Sequence, residues 1–119
     1  MELTGLEPAL GFIQRSNQTI PISAKTTIVR YRTSPGDRGK VVDFCRDLFR
    51  FAEEEEMDVY TLAIMNDIGR EDEFVILERY ESAEAETRHL ESERCVKCLG
   101  EIKGMILGHD SVGYEILDV

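Results

Sequence analysis

The stretch "FVILERYESAEAETRHLES" (Phe74–Ser92) changes its periodicity half-way along. Up to Tyr80 it is rich in β-branched and aromatic residues and reads as a strand. Ser82 then stands where a helix N-cap belongs, and Ala83 to about Glu91 reads as a short helix. On the strand, Phe74, Ile76, Glu78 and Tyr80 share one face, while Val75, Leu77, Arg79 and Glu81 share the other. On the helix, His89 lies four residues after Ala85 and three after Glu86, so each pair can meet. The helix must fold back over one face of the strand. A polar group on that covered face costs free energy unless it finds a partner. Glu78, Tyr80 and His89 therefore either satisfy one another as a structural cluster or converge on a small-molecule pocket.

"DVYTLAIMND" (Asp58–Asp67) and "EFVILERYE" (Glu73–Glu81) predict an antiparallel hairpin around Gly69. Both strands are apolar on both faces: Leu62 and Ile64 oppose Ala63 and Met65, and Phe74 and Ile76 oppose Val75 and Leu77. A sheet with one wet face should alternate apolar and polar residues. This one should be covered twice, yet the helices suffice for one side. A second copy of the sheet is the simplest other cover, so a homodimer is expected.

Upstream, "KTTIVRYRT" (Lys25–Thr33) reads as a strand, followed by a long amphipathic helix with Ser34 as N-cap and Pro35 in its first position. The run Glu53–Glu56 is expected to be a solvated helix end. Downstream, Val96, Leu99, Ile102 and Ile106 mark a helix from Glu93 to Leu107, and "SVGYEILDV" (Ser111–Val119) a last strand. His109 would lie in the loop between them, exposed to solvent. The order predicts an α+β, ferredoxin-like βαββααβ protomer over residues 25–119. Residues 1–24 form an N-terminal extension, either a short strand arm near Ser16 and Asn17 or an irregular surface arm.

A chain of 119 residues with net charge −10 repels phosphate backbones and anionic lipid, so neither nucleic acid nor membrane is an expected partner. No apolar run reaches the ~18 residues that span a bilayer, and the N-terminus lacks a signal peptide's basic and apolar regions. A cytoplasmic location with reduced cysteines is expected. Cys95 and Cys98 form a CxxC that follows a helix rather than a strand; packing is the favoured reading over redox or metal roles.

The residues Phe74, Glu78, Tyr80, Ser82, Ala85, His89 and Ser92 resemble the signature F-x-x-x-E-x-[YW]-x-S…A…H-x-x-S of the antibiotic-biosynthesis-monooxygenase family. The resemblance covers about residues 25–119. It implies a dimeric α/β barrel of ferredoxin-like protomers. Some members oxidise aromatic polyketides with O2 and no metal or flavin; others degrade haem, act as isomerases or lack demonstrated activity. Haem degraders carry tryptophan where His89 stands, an iron-ligating histidine near the position of Leu99, and asparagine on the first strand. This chain has none of the three, so no haem and no other cofactor is expected.

What the resemblance implies is a cofactor-independent monooxygenase acting on a small aromatic or polyketide-type substrate. Catalysis would fall to His89, Tyr80 and Glu78, with His89 as the base because an imidazole ordinarily titrates near neutral pH. Tyr60, Asn66, Phe49 and Ile76 would contact the substrate, with Tyr31 and Arg30 as further pocket candidates. The same pocket could serve an enolate-type cyclase, isomerase or decarboxylase, or bind a ligand without turnover.

Overall fold

A computed structural model describes residues 13–14, 24–66 and 69–114. The elements are β1 (Ile13–Gln14), β2 (Lys25–Thr33), α1 (Arg38–Glu55), β3 (Val59–Asn66), β4 (Glu73–Tyr80), α2 (Ala83–Glu91), α3 (Glu93–Ile102) and β5 (Ile106–Tyr114), with a 3-10 turn at Lys103–Met105. The sheet order is β1-β3-β4-β2-β5, and every neighbouring pair is antiparallel. Without the two-residue edge strand β1, this is the ferredoxin-like arrangement expected above.

The helices cover one face of the sheet. Alternation along β4 is strict: Phe74, Ile76, Glu78 and Tyr80 are buried, and the residues between them are half-buried. Val41, Cys45, Leu48, Phe49 and Ala52 of α1 and Cys95, Cys98 and Ile102 of α3 close over that face. The other face carries Ile28, Val75 and Leu77, half-buried, with Met65, Val112 and Tyr114 about half exposed at 44%, 50% and 51%.

Three boundaries differ from expectation. Ser34 does not cap α1. Its carbonyl accepts a hydrogen bond from the Asp37 amide at 3.0 Å, closing a turn with Pro35 and Gly36 at its centre. Gly36 has φ +81°, a conformation that suits the third residue of a type II turn and cannot continue a helix. The helix therefore begins at Arg38.

The last helix stops at Ile102 rather than Leu107, because Ile106 and Leu107 pair into β5 beside β2. Its inward stripe is Cys95, Cys98 and Ile102, leaving Val96 and Leu99 exposed at 58% and 41%. The final strand accordingly starts five residues earlier than expected. It carries His109, which is not in a loop; residues 115–119 lie outside the described residues. The strand arm expected near Ser16 and Asn17 also lies outside them, while Ile13 and Gln14 pair with Leu62 and Thr61. Among the described residues, no helix is long and apolar enough to cross a membrane.

Candidate active site

Side chains that point toward the helices form rows across β4, β2 and β5. Glu78 lies opposite Thr27; Ile76, Val29 and Ser111 form the next row; Phe74, Tyr31 and His109 the third. Between these rows and the helices is a cavity of about 740 Å³. Glu86 and Leu90 of α2, Leu99 and Ile102 of α3, and the segment Lys103–Gly108 complete its walls. This volume lies within the range of small-molecule sites.

Glu78 brings the chemistry. Its side chain is buried in the sheet face and lines the cavity. The Tyr80 hydroxyl, two residues on along the same face, donates to Glu78 Oε1 at 3.1 Å. Burial pushes the Glu78 carboxyl up to about 7, the Tyr80 hydrogen bond works against that rise, and the nearby Glu86 charge adds to it. Burial and the facing Glu78 charge hold the Tyr80 and Tyr31 phenols far above their ordinary range, so both remain protonated donors.

Glu86 is already committed. Its Oε1 meets Lys25 Nζ at 2.7 Å, and its Oε2 accepts from the Thr27 hydroxyl at 2.9 Å. These bonds tie α2 to β2 at the Glu78 end of the cavity. At the other end, Tyr31 stacks on Phe74 with ring centroids 5.3 Å apart and meets His109 at 5.9 Å.

His89 is elsewhere. It is 2% exposed, and its Nδ1 lies 2.8 Å from Glu56 Oε1, just past the end of α1. Its ring sits 5.6 Å from that of Tyr80. Beside it, Arg88 Nη2 meets Asp58 Oδ2 at 2.6 Å. Two adjacent residues of α2 thus clamp that helix to the α1–β3 connection. The three expected catalytic residues do form one cluster, but the cavity touches it through Glu78 alone. Glu56 is correspondingly more than part of a solvated helix end.

The expected substrate contacts lie off the cavity lining. Phe49 and Ile76 are core residues at 3% and 4% exposure. Tyr60 sits, half-buried, at the register shift between Val59 and Thr61 of β3. Asn66 is exposed at the end of β3, and Arg30 points to the opposite face of the sheet beside Glu73. Conversely Thr27, Glu86, Ser111 and His109 line the cavity without having been singled out as contacts. For His109 and Ser111 the missing signal was the strand start. Once β5 begins at Ile106, alternation places both on the Tyr31 face.

Cys45, Cys95 and Cys98 are buried and free. Burial pushes Cys95 up to about 12, whereas the Cys98 thiol is lowered by its hydrogen bond with Cys45. The CxxC sulfurs therefore lie in the α1–α3 packing, as the packing reading expected. Among the described residues no group of three or more His, Cys, Asp or Glu is gathered for a metal ion. Leu99, near the haem degraders' ligand position, presents only carbon to the cavity.

No family model matches the sequence, and no curated protein matches it. Solved structures do. A "putative antibiotic biosynthesis monooxygenase" from Nitrosomonas europaea superposes with TM-score 0.74 at 14% identity, over 82% of this chain and 94% of its own. The chain shares the fold of the antibiotic-biosynthesis-monooxygenase structures. A second structure of that name, from Caulobacter crescentus, gives TM-score 0.76 at 12% identity, over 81% of this chain and 92% of the other. A "putative monooxygenase" from Lactobacillus acidophilus gives 0.76 at 14% identity over 86% of this chain, which spans about half (46%) of that protein.

The raised Glu78 carboxyl makes a stability prediction. The folded state holds this proton to about pH 7, whereas an unfolded glutamate releases it near 4.5. Its contribution is therefore intact below pH 4.5 and lost as pH rises through 7, at up to ~3 kcal/mol on the scale of about 1.4 kcal/mol per pKa unit. The facing groups are Tyr80, Tyr31, Cys95 and the Lys25-paired Glu86. Glu78→Gln keeps an acceptor for Tyr80, and should match the parent in urea unfolding at pH 4.5 but exceed it at pH 8.5. Equal midpoints at pH 8.5 would show that no such buried charge forms.

Proposed function

We propose that the protein is a cofactor-independent monooxygenase-like enzyme acting on a small aromatic carbon or phenol acid, with Glu78 as the base. The observation that carries this reading is a carboxyl buried against an apolar cavity and fixed by one phenol, a setting in which burial raises it to about 7. A general base is most effective when its pKa lies near the working pH. Substrate enters between Leu90, Leu99 and Leu107. Ionised Glu78 takes the acidic proton, and the ring system delocalises the resulting anion. The anion passes an electron to O2, the two radicals combine as a peroxide anion, which takes the proton back from Glu78, and loss of water from the resulting hydroperoxide leaves a carbonyl. Overall, a CH2 and O2 become C=O and H2O. Val29, Ile102 and Ile106 give the anion apolar neighbours.

His89, the base expected from the resemblance, has its Nδ1 on Glu56 and no face on the cavity. In this reading it is a positioning residue for α2. An enolate-type isomerase would use the same Glu78 base without consuming O2, so oxygen uptake separates the two.

Anthrone is a suitable probe, since its anion reacts with O2. The protein should accelerate oxygen uptake, and kcat/KM should rise with pH through an apparent pKa near 7. Glu78→Gln should lower the rate by about 10²-fold or more, while His89→Gln should leave it within a few-fold in folded protein. Loss of uptake in His89→Gln with Glu78→Gln active would reverse the assignment.

The homodimer is proposed on the sheet face away from the helices. Its support is the apolar set Ile28, Val75, Leu77, Met65, Val112 and Tyr114. A charge set among these residues is costly only if a second layer covers them. Sedimentation should therefore give a dimer that Val112→Asp converts to monomer; a monomeric parent chain would refute the proposal.

A further inference from the structure

The cavity has two polar ends, and the proposed reaction uses only one. In the row geometry, Glu78 and His109 are separated by two strands across and four residues along the sheet. At about 3.3 Å per residue and 4.8 Å per strand, their Cα atoms lie roughly 16 Å apart on one face. The walls between them are mostly carbon, with Val29, Leu99, Ile102 and Ile106 beside Ser111. At the Glu78 end, Thr27 and Glu86 are occupied with each other and with Lys25. At the far end, the His109 ring meets the Tyr31 ring, whereas the Tyr31 hydroxyl feels the Glu78 charge and belongs with the near end. The His109 ring nitrogens are left for a ligand.

We propose that His109 is the specificity-determining residue of this cavity, binding an oxygen substituent at the end of a flat aromatic ligand remote from Glu78. The inference rests on the cavity being the aromatic site described above. An imidazole can donate to or accept from a phenol or quinone oxygen. The Phe74–Tyr31–His109 series supplies ring surface at the same end. Ser111, one row nearer Glu78, is placed to add a hydroxyl. The span accommodates two or three rings with a hydrogen bond at each end. The ligand class is thus an elongated, multi-ring aromatic oxygenated at both ends.

The test uses two fluorescent probes, 2-naphthol and 2,6-dihydroxynaphthalene, which differ only in the distal hydroxyl. The parent protein should bind the diol about ten-fold more tightly, the size of one net hydrogen bond. His109→Phe keeps an aromatic ring beside Tyr31 and removes the nitrogens, and His109 is exposed, so the fold should tolerate it. It should weaken the diol about ten-fold and leave 2-naphthol unchanged. Glu78→Gln should keep the parent's preference for the diol. A preference that is absent in the parent, or retained in His109→Phe, overturns the assignment of His109 while leaving Glu78 as base intact. Failure of both probes to bind the parent overturns the aromatic reading of the cavity and this inference with it.

Discussion

A carboxyl on the buried face of a central strand is the constraint around which this molecule is arranged. Strict alternation along β4 leaves Glu78 no choice of side: it follows Phe74 and Ile76 inward and precedes Tyr80. Burial disfavours its charge, and the Tyr80 hydroxyl favours it. Burial, helped by the Glu86 charge, wins, and the Tyr80 hydrogen bond limits the rise, so the group sits near 7. Had the site been dry and unpartnered, the carboxyl would stay protonated and inert. Had it been fully exposed, it would be a weak base. The cavity in front of Glu78 is what turns this compromise into usable chemistry.

The cavity in turn depends on holding α2 at a fixed distance from the sheet. Four polar contacts do this from two sides. Lys25 and Thr27 hold Glu86 on the sheet side, while Glu56 and Asp58 hold His89 and Arg88 on the other. Ser92 joins α2 to α3 by serving both helices: its hydroxyl donates to the His89 carbonyl and accepts from the Cys95 amide. The His89–Glu56 contact is more buried than the Lys25–Glu86 and Arg88–Asp58 pairs. Truncating one partner would leave the other's polar atom poorly solvated and without its hydrogen bond, which is why such contacts are costly to break. His89 thus contributes to function by fixing a wall.

The strand-to-helix corner was legible in sequence because its signals are local. Ser82 does cap α2, accepting from the Ala85 amide at 3.1 Å, and the period-2 pattern of β4 holds throughout. The partner of His89 was not legible. Local spacing pointed to Ala85 and Glu86, but the imidazole reaches Glu56, 33 residues away. The α3–β5 boundary failed for another reason. Ile106 and Leu107 are a short apolar pair that fits helix or strand equally. Pairing across β2 decides the matter, joining Thr33 to Ile106 and Tyr31 to His109. That one boundary hid the second polar end of the cavity. At Ser34, cap chemistry competed with the stronger demand of a Pro-Gly turn.

Glu78 can act as the base only if it ionises near neutral pH in the folded chain. Its side-chain carboxyl can be followed directly by carbon-13 NMR in protein labelled at glutamate Cδ, with Glu78→Gln identifying the resonance. One glutamate signal should titrate with a midpoint near 7 and vanish in that variant. A Glu78 signal that titrates near 4.5, with the other glutamates, would contradict the account.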